Sequence, residues 1–120
     1  MKEIKFFEHS DGNSDLWNFL EELRIKSSKS KDCRVQYNQI IFYIELLKIN
    51  GTNLPNTIVR RLDEDIYELR PGKNRVLFFY FEENTYILLH HFRKKTQKTP
   101  ISEIDKAKAA RNEYIKRKGK

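Results

Sequence analysis

Residues 56–95 read NTIVRRLDEDIYELRPGKNRVLFFYFEENTYILLHHFRKK, and the fold turns on how this stretch is cut into elements. β-branched and aromatic residues dominate it, while RPGKN at 70–74 and EEN at 82–84 supply turn chemistry. The spacing predicts three strands in an antiparallel meander. The nearly unbroken apolar run VLFFYF at 76–81 predicts a central strand covered on both faces, because an edge or half-solvated strand would alternate with polar residues. The acidic run Asp63, Glu64 and Asp65 reads as a strand approach or turn facing solvent.

Working outward, residues 2–8 (KEIKFFE) predict a short first strand, and DGNS at 11–14 gives turn residues with Ser14 as an N-cap. Leu16, Phe19, Leu20 and Leu23 then recur at helical spacing. After the break KSSKSKD, a second helix runs from about Asp32 through Ile40, Ile44 and Leu47 to the stop signal NGTNLPN at 50–56. These two helices form a hairpin. Beyond the last strand, Thr99 is the expected N-cap and Pro100 the first-turn residue of a terminal helix carrying Ile101, Ile104, Ala107 and Ala110.

At 120 residues the chain is expected to form a single domain over 1–120. The lone Cys33 excludes an intrachain disulfide framework, which fits a reducing compartment. The start MKEIKFFEHSDG lacks an apolar leader core, and no run approaches the roughly 18 apolar residues of a membrane span. A soluble, cytoplasmic protein is expected.

The net charge of +7 is unevenly placed: residues 91–120 hold 11 Lys/Arg against 3 Asp/Glu, whereas residues 1–90 hold 13 against 14. A cationic end of this kind suits a polyanion such as RNA, whose phosphates release counterions when Lys and Arg neutralise them. It equally suits a solvated basic helix.

Strand alternation says which side chains can meet. Glu68 and Arg70 share a face, as do Leu89, His91 and Arg93, with His90, Phe92 and Lys94 opposite. Arg75 begins the middle strand just after a turn, where a long side chain can stay solvated. With the strands adjacent, Arg70, Arg75 and Arg93 approach one end of the sheet, and a bound phosphate would relieve their mutual repulsion. His90 and His91 point to opposite faces, so a shared metal is not expected. Tyr80, Tyr86 and Phe92 have the character to stack on bases, although strand aromatics ordinarily fill a core.

The segments RRLDEDIYELRPGKNRVLFFYF (60–81), YILLHHFRKKTQKTP (86–100) and EIDKAKAARNEY (103–114) together resemble the HigB-type toxins of the RelE superfamily. The resemblance implies an α+β, RelE-like fold: a twisted antiparallel sheet with a two-helix hairpin packed on one face, a C-terminal helix, and an open concave RNA site. It implies the toxin of a type II toxin–antitoxin system, an mRNA interferase cleaving messenger RNA on the translating ribosome. Its partners would be a HigA-like helix-turn-helix antitoxin and, through the antitoxin, operator DNA.

Position by position, the resemblance places Arg75 and Arg93 at the superfamily's strand-end basic residues, and Glu68 and Arg70 where relatives carry charged active-site groups. Lys73, Lys94 and Lys98 are the RNA-binding candidates, and Lys95 or His91 the proton donor, since TQKTP lacks the tyrosine or histidine that several relatives place there. Attack of a 2′-hydroxyl on the adjacent phosphorus needs a proton acceptor, here Glu68 or His91, with cations on the phosphorane and a proton donor. It requires neither metal nor cofactor. A non-catalytic nucleic-acid-binding or regulatory module is the second reading open to this sequence.

Overall fold

A computed structural model describes residues 1–119. The elements in chain order are β1 (Glu3–Phe6), α1 (Asp15–Lys26), α2 (Lys31–Asn50), β2 (Val59–Asp63), β3 (Ile66–Leu69), β4 (Asn74–Tyr80), β5 (Thr85–Arg93) and α3 (Ile101–Lys118). The stretch that decides the fold therefore holds four strands, where three were expected. Glu64, at φ 44°, turns the chain so tightly that Val59–Asp63 and Ile66–Leu69 pair as a hairpin. The carbonyl of Glu64 accepts from Arg61 Nε at 2.6 Å, which fixes that corner.

One five-stranded sheet results, in the order β1-β5-β4-β3-β2. Strands β2 to β5 form the antiparallel meander, and β1 adds to the free side of β5 in parallel. As the apolar run predicts, β4 is buried on both sides. Val76 and Phe78 pack with Leu16, Leu20 and Leu23 of α1 and Ile40, Ile44 and Leu47 of α2. Leu77 and Phe79 pack under Ala107 and Tyr114 of α3. Phe78 is fully enclosed, so truncating it to alanine would cost about 4 kcal/mol through lost transfer energy and a cavity.

The helix signals have clear local causes. Ser14 Oγ accepts from Trp17 N at 3.2 Å and Ser30 Oγ from Cys33 N at 3.1 Å, satisfying first-turn amides that have no partner inside their helices. At α3 the expected cap does not form. Pro100 occupies the N-cap position without a side-chain bond, and the hydroxyl of Thr99 is used elsewhere.

The position of α3 differs from the open concave face that the resemblance implies: Ala107, Tyr114, Ile104 and Ala110 cover the sheet face opposite the hairpin. The acidic run contributes to this docking. Asp63 pairs with Lys108, and Asp65 Oδ1 lies 2.5 Å from Arg111 Nη1. The bond from Lys108 holds Asp63 below the usual carboxylate range. No helix of the described residues is long and apolar enough to cross a membrane.

Candidate functional site

The register of the sheet brings the cationic residues to one end. Asn74 pairs with Arg93 and Arg75 with Phe92, while Leu69, just before Arg70, pairs with Val76. Lys94 N donates to Lys73 O at 2.7 Å, extending the contact one residue past the strands. Arg70, Lys73, Arg75, Arg93 and Lys94 therefore gather around the β3–β4 turn.

They do not share a face. Glu68 lies beside Leu77 and Arg75 beside Phe92, on the side covered by α3. Arg93 projects toward α2 on the hairpin side, where it meets Gln36. A bulge at Leu77/Phe78 adds a complication, because it leaves Leu89 outside the pairing register. Leu89 consequently packs on the α3 side, rather than with His91 and Arg93 as simple alternation predicts.

On the α3 side, Glu68 is a buried carboxylate, 1% exposed. Arg70 Nε lies 3.4 Å and Arg75 Nε 4.0 Å from its Oε1, and the Thr99 hydroxyl donates to its Oε2. Two cations and a hydroxyl offset the desolvation that would otherwise make a buried carboxylate untenable. Arg75 is itself only 6% exposed, which overturns the expectation of a solvated side chain. Its Nη1 donates to Gly72 O at 2.7 Å and to Asn74 O at 2.8 Å. Burial lowers the Arg75 pKa, Glu68 opposes that shift, and neighbouring Arg70 adds to it. Arg70 Nη1 donates to Asn56 O at 3.0 Å, while its buried Nε has no hydrogen-bond partner.

On the hairpin side, Gln36 Oε1 accepts from Arg93 Nη1 at 2.9 Å and from Asn74 Nδ2 at 3.0 Å. The His91 ring stacks on Phe19 with centroids 4.5 Å apart, and burial, helped by the charge of His90, lowers its pKa. His91 and Glu68 thus lie on opposite faces. His90 turns toward α3, its Nε2 2.5 Å from Glu103 Oε1.

Lys73, Lys94 and Lys95 line a cavity of about 330 Å³ with Thr96 and Gln97. Lys98 is exposed on the same segment and its carbonyl accepts from Thr96 Oγ1 at 2.7 Å. Residues 94–100 form a strap between β5 and α3, cationic outside and fastened beneath by Thr99. A larger groove of about 840 Å³ runs between β1, the start of α1 and the end of α3, and shares no residue with this end of the sheet. Tyr86 is core, whereas Tyr80 is exposed and its hydroxyl accepts from Asn84 N.

Sequence reasoning missed Thr99 and Gln36. Thr99 was visible as a cap, but a threonine before proline gives no sign that its hydroxyl reaches a residue 31 positions away. Gln36 lies on α2 without any motif, 57 residues from Arg93.

A family model described as "Phage derived protein Gp49-like (DUF891)" matches residues 29–112, which span α2, strands β2 to β5 and most of α3. None of the curated proteins compared with the chain matches it.

Proposed function

The chain belongs to the phage-derived Gp49-like family, a family of RelE-type toxins from toxin–antitoxin systems, and from that premise we propose that it is an endoribonuclease that cleaves messenger RNA. The observation that carries this reading is the gathering of Arg70, Arg75, Arg93, Lys73 and Lys94 around one turn, beside a carboxylate. Such a concentration of positive charge is costly to a fold and favourable to a phosphate. The lysine-lined cavity receives the RNA backbone, with Lys98 flanking it.

In this mechanism the 2′-hydroxyl attacks the adjacent phosphorus, its proton passes to Glu68, and the leaving 5′-oxygen is protonated by a donor of the strap, Lys95. Arg70 and Arg75, beside Glu68, stabilise the charge developing on the phosphorane, and Arg93, at the strand end on the hairpin side, holds a neighbouring phosphate of the RNA backbone. Glu68 is bonded by Thr99 and buried together with Arg75, so in this mechanism the strap lifts from the sheet as RNA enters. His91 is assigned no proton transfer, because it faces the helical hairpin.

The family implies an antitoxin partner. In the proposed system this is a HigA-like protein whose helix-turn-helix domain also holds operator DNA, and the target is messenger RNA on the translating ribosome in the cytoplasm. The decisive experiment induces the chain alone and with the product of an adjacent gene, then maps the ends of messenger RNA fragments. Fragments ending in a 2′,3′-cyclic phosphate and a 5′-hydroxyl support the reading. A 5′-phosphate with a 3′-hydroxyl would overturn the mechanism.

Burial of Glu68 and Arg75 favours a second reading: the cluster is a structural ion network, and the lysine cavity binds nucleic acid without catalysis. That module would arrest growth with intact messenger RNA.

A further inference from the structure

Gln36 is half-buried on α2, and its Oε1 joins the first residue of β4 to the last residue of β5 through Asn74 Nδ2 and Arg93 Nη1. Asn74 is 3% exposed, so its amide donates in a site closed to water. The Asn74 carbonyl in turn accepts from Arg75 Nη1, as does that of Gly72. One helical turn beyond Gln36, Gln39 closes over the same loop: a Cβ on Gly72, whose φ is 62°, would lie 2.5 Å from Gln39 Oε1. Helix α2 therefore grips the β3–β4 turn at two points, and that turn cradles the Arg75 guanidinium.

We infer that Gln36 is a positioning residue for RNA cleavage: its amide oxygen sets the rotamer of Arg93 and, through Asn74, the turn that holds Arg75. The inference rests on the ribonuclease reading above. Arg93 is exposed, and a free arginine side chain would spread over many rotamers. A hydrogen bond to one of its nitrogens removes much of that freedom before substrate arrives. An amide is suited to this task because it fixes direction without neutralising the guanidinium, which keeps its full charge for a phosphate. A carboxylate at position 36 would fix direction equally well but compete with the phosphate for the same charge.

That contrast yields two variants with opposite effects. Gln36→Leu keeps size but cannot accept either bond, so the turn that holds Arg75 loses its anchor through Asn74, while Arg93 retains its attraction for RNA and loses its aim. Gln36→Glu keeps both accepted bonds and neutralises the cation, and like Gln36→Leu it gives up the exposed bond from Gln36 Nε2 to Asp32 Oδ2 at 2.7 Å, a loss common to the two variants. The experiment is single-turnover cleavage of an end-labelled messenger on programmed ribosomes, with folding of each variant checked by circular dichroism. For Gln36→Leu the rate at saturation falls at least about 10-fold while the half-saturating concentration changes little. For Gln36→Glu the half-saturating concentration rises at least about 3-fold while the saturating rate is kept.

A role in packing alone moves both variants together, or follows their loss of structure, and that pattern overturns the inference. So does unchanged cleavage by folded Gln36→Leu. Should that variant fail to fold, Gln36→Glu decides: a raised half-saturating concentration at full rate supports the inference, and wild-type behaviour overturns it. Failure of the wild type to cleave any messenger overturns the ribonuclease reading and this inference together, an outcome distinct from either variant result.

Discussion

The hydroxyl of Thr99 donates to the carboxylate of Glu68, fastening the residue before α3 onto the centre of the sheet. One bond thereby links the strap to the buried acid that is paired with Arg70 and Arg75. Thr99→Val preserves shape and removes the donor, leaving a buried carboxylate oxygen under-satisfied. A loss of about 2 kcal/mol in urea unfolding is expected, with Thr99→Ser retaining most of the stability. Amide exchange should also accelerate over residues 94–100 in the valine variant. Equal protection in the two proteins would show that the strap is held by other contacts.

Arg75→Ala leaves Glu68 with Arg70 as its remaining cation and frees two carbonyls of the turn. Breaking a buried pair by removing one partner costs about 3 kcal/mol, well above the range of surface substitutions. Combining Arg75→Ala with Glu68→Gln should recover part of that loss, because the stranded charge is gone. A double-mutant cycle read by denaturant unfolding measures the coupling, and strict additivity would show that the 4.0 Å approach carries no energy.

The elements were legible because each has a local cause. Ser14 caps, the leucine and isoleucine stripes repeat at helical spacing, and VLFFYF announces a doubly covered strand, whereas the cap that Ser30 gives α2 lay unread inside the break KSSKSKD. The hairpin at Asp63–Asp65 was not legible, since nothing in LDEDI marks Glu64 as a left-handed residue. At the site, register alone brought the arginines to one end of the sheet. Their division between faces was also within reach of alternation, because Asn74 stands opposite Arg93 and neighbouring Arg75 must then point away. Burial was out of reach: Arg75 is covered because α3 crosses that face, a tertiary fact that a turn-proximal arginine does not reveal. Leu89 was misplaced for a similar reason, since a bulge resets alternation without altering composition.

Two histidines impose opposite pH dependences on stability. The His91 pKa lies below its ordinary value of 6.5, chiefly through burial, so as pH falls the unfolded chain takes up the proton first and stability is lost through that window. The His9 pKa is raised by its bond to Asp15, so its contribution is present at low pH and is lost as pH rises past 6.5 through the folded value. The His9 pair is exposed and screened. In a His9→Asn protein, urea midpoints should therefore fall steadily from about pH 7 to about pH 5. His91→Asn in the same background should flatten that slope, and an unaltered slope would assign the loss to other groups.

Lys73, Lys94 and Lys95 surround one cavity, yet none of the three forms an ion pair among the described residues. The α3 terminus differs, because Arg117 pairs with Glu113 and lies 5.3 Å over the Phe7 ring. Charges already engaged by the protein have less to give a phosphate than charges left in water. The cavity, more than the tail, should therefore set the ionic component of RNA binding. For single-stranded RNA each neutralised phosphate contributes about 0.7 to the slope of log K against log salt, so replacing all three lysines with glutamine should reduce its magnitude by about 2. Replacing Lys116, Arg117 and Lys118 should reduce it by less. Fluorescence anisotropy with a labelled RNA oligonucleotide across a salt series measures both slopes, and fragment mapping of the tail variant should return the wild-type cleavage position. A larger slope change for the tail than for the cavity would move the RNA path from the strap to the far end of α3.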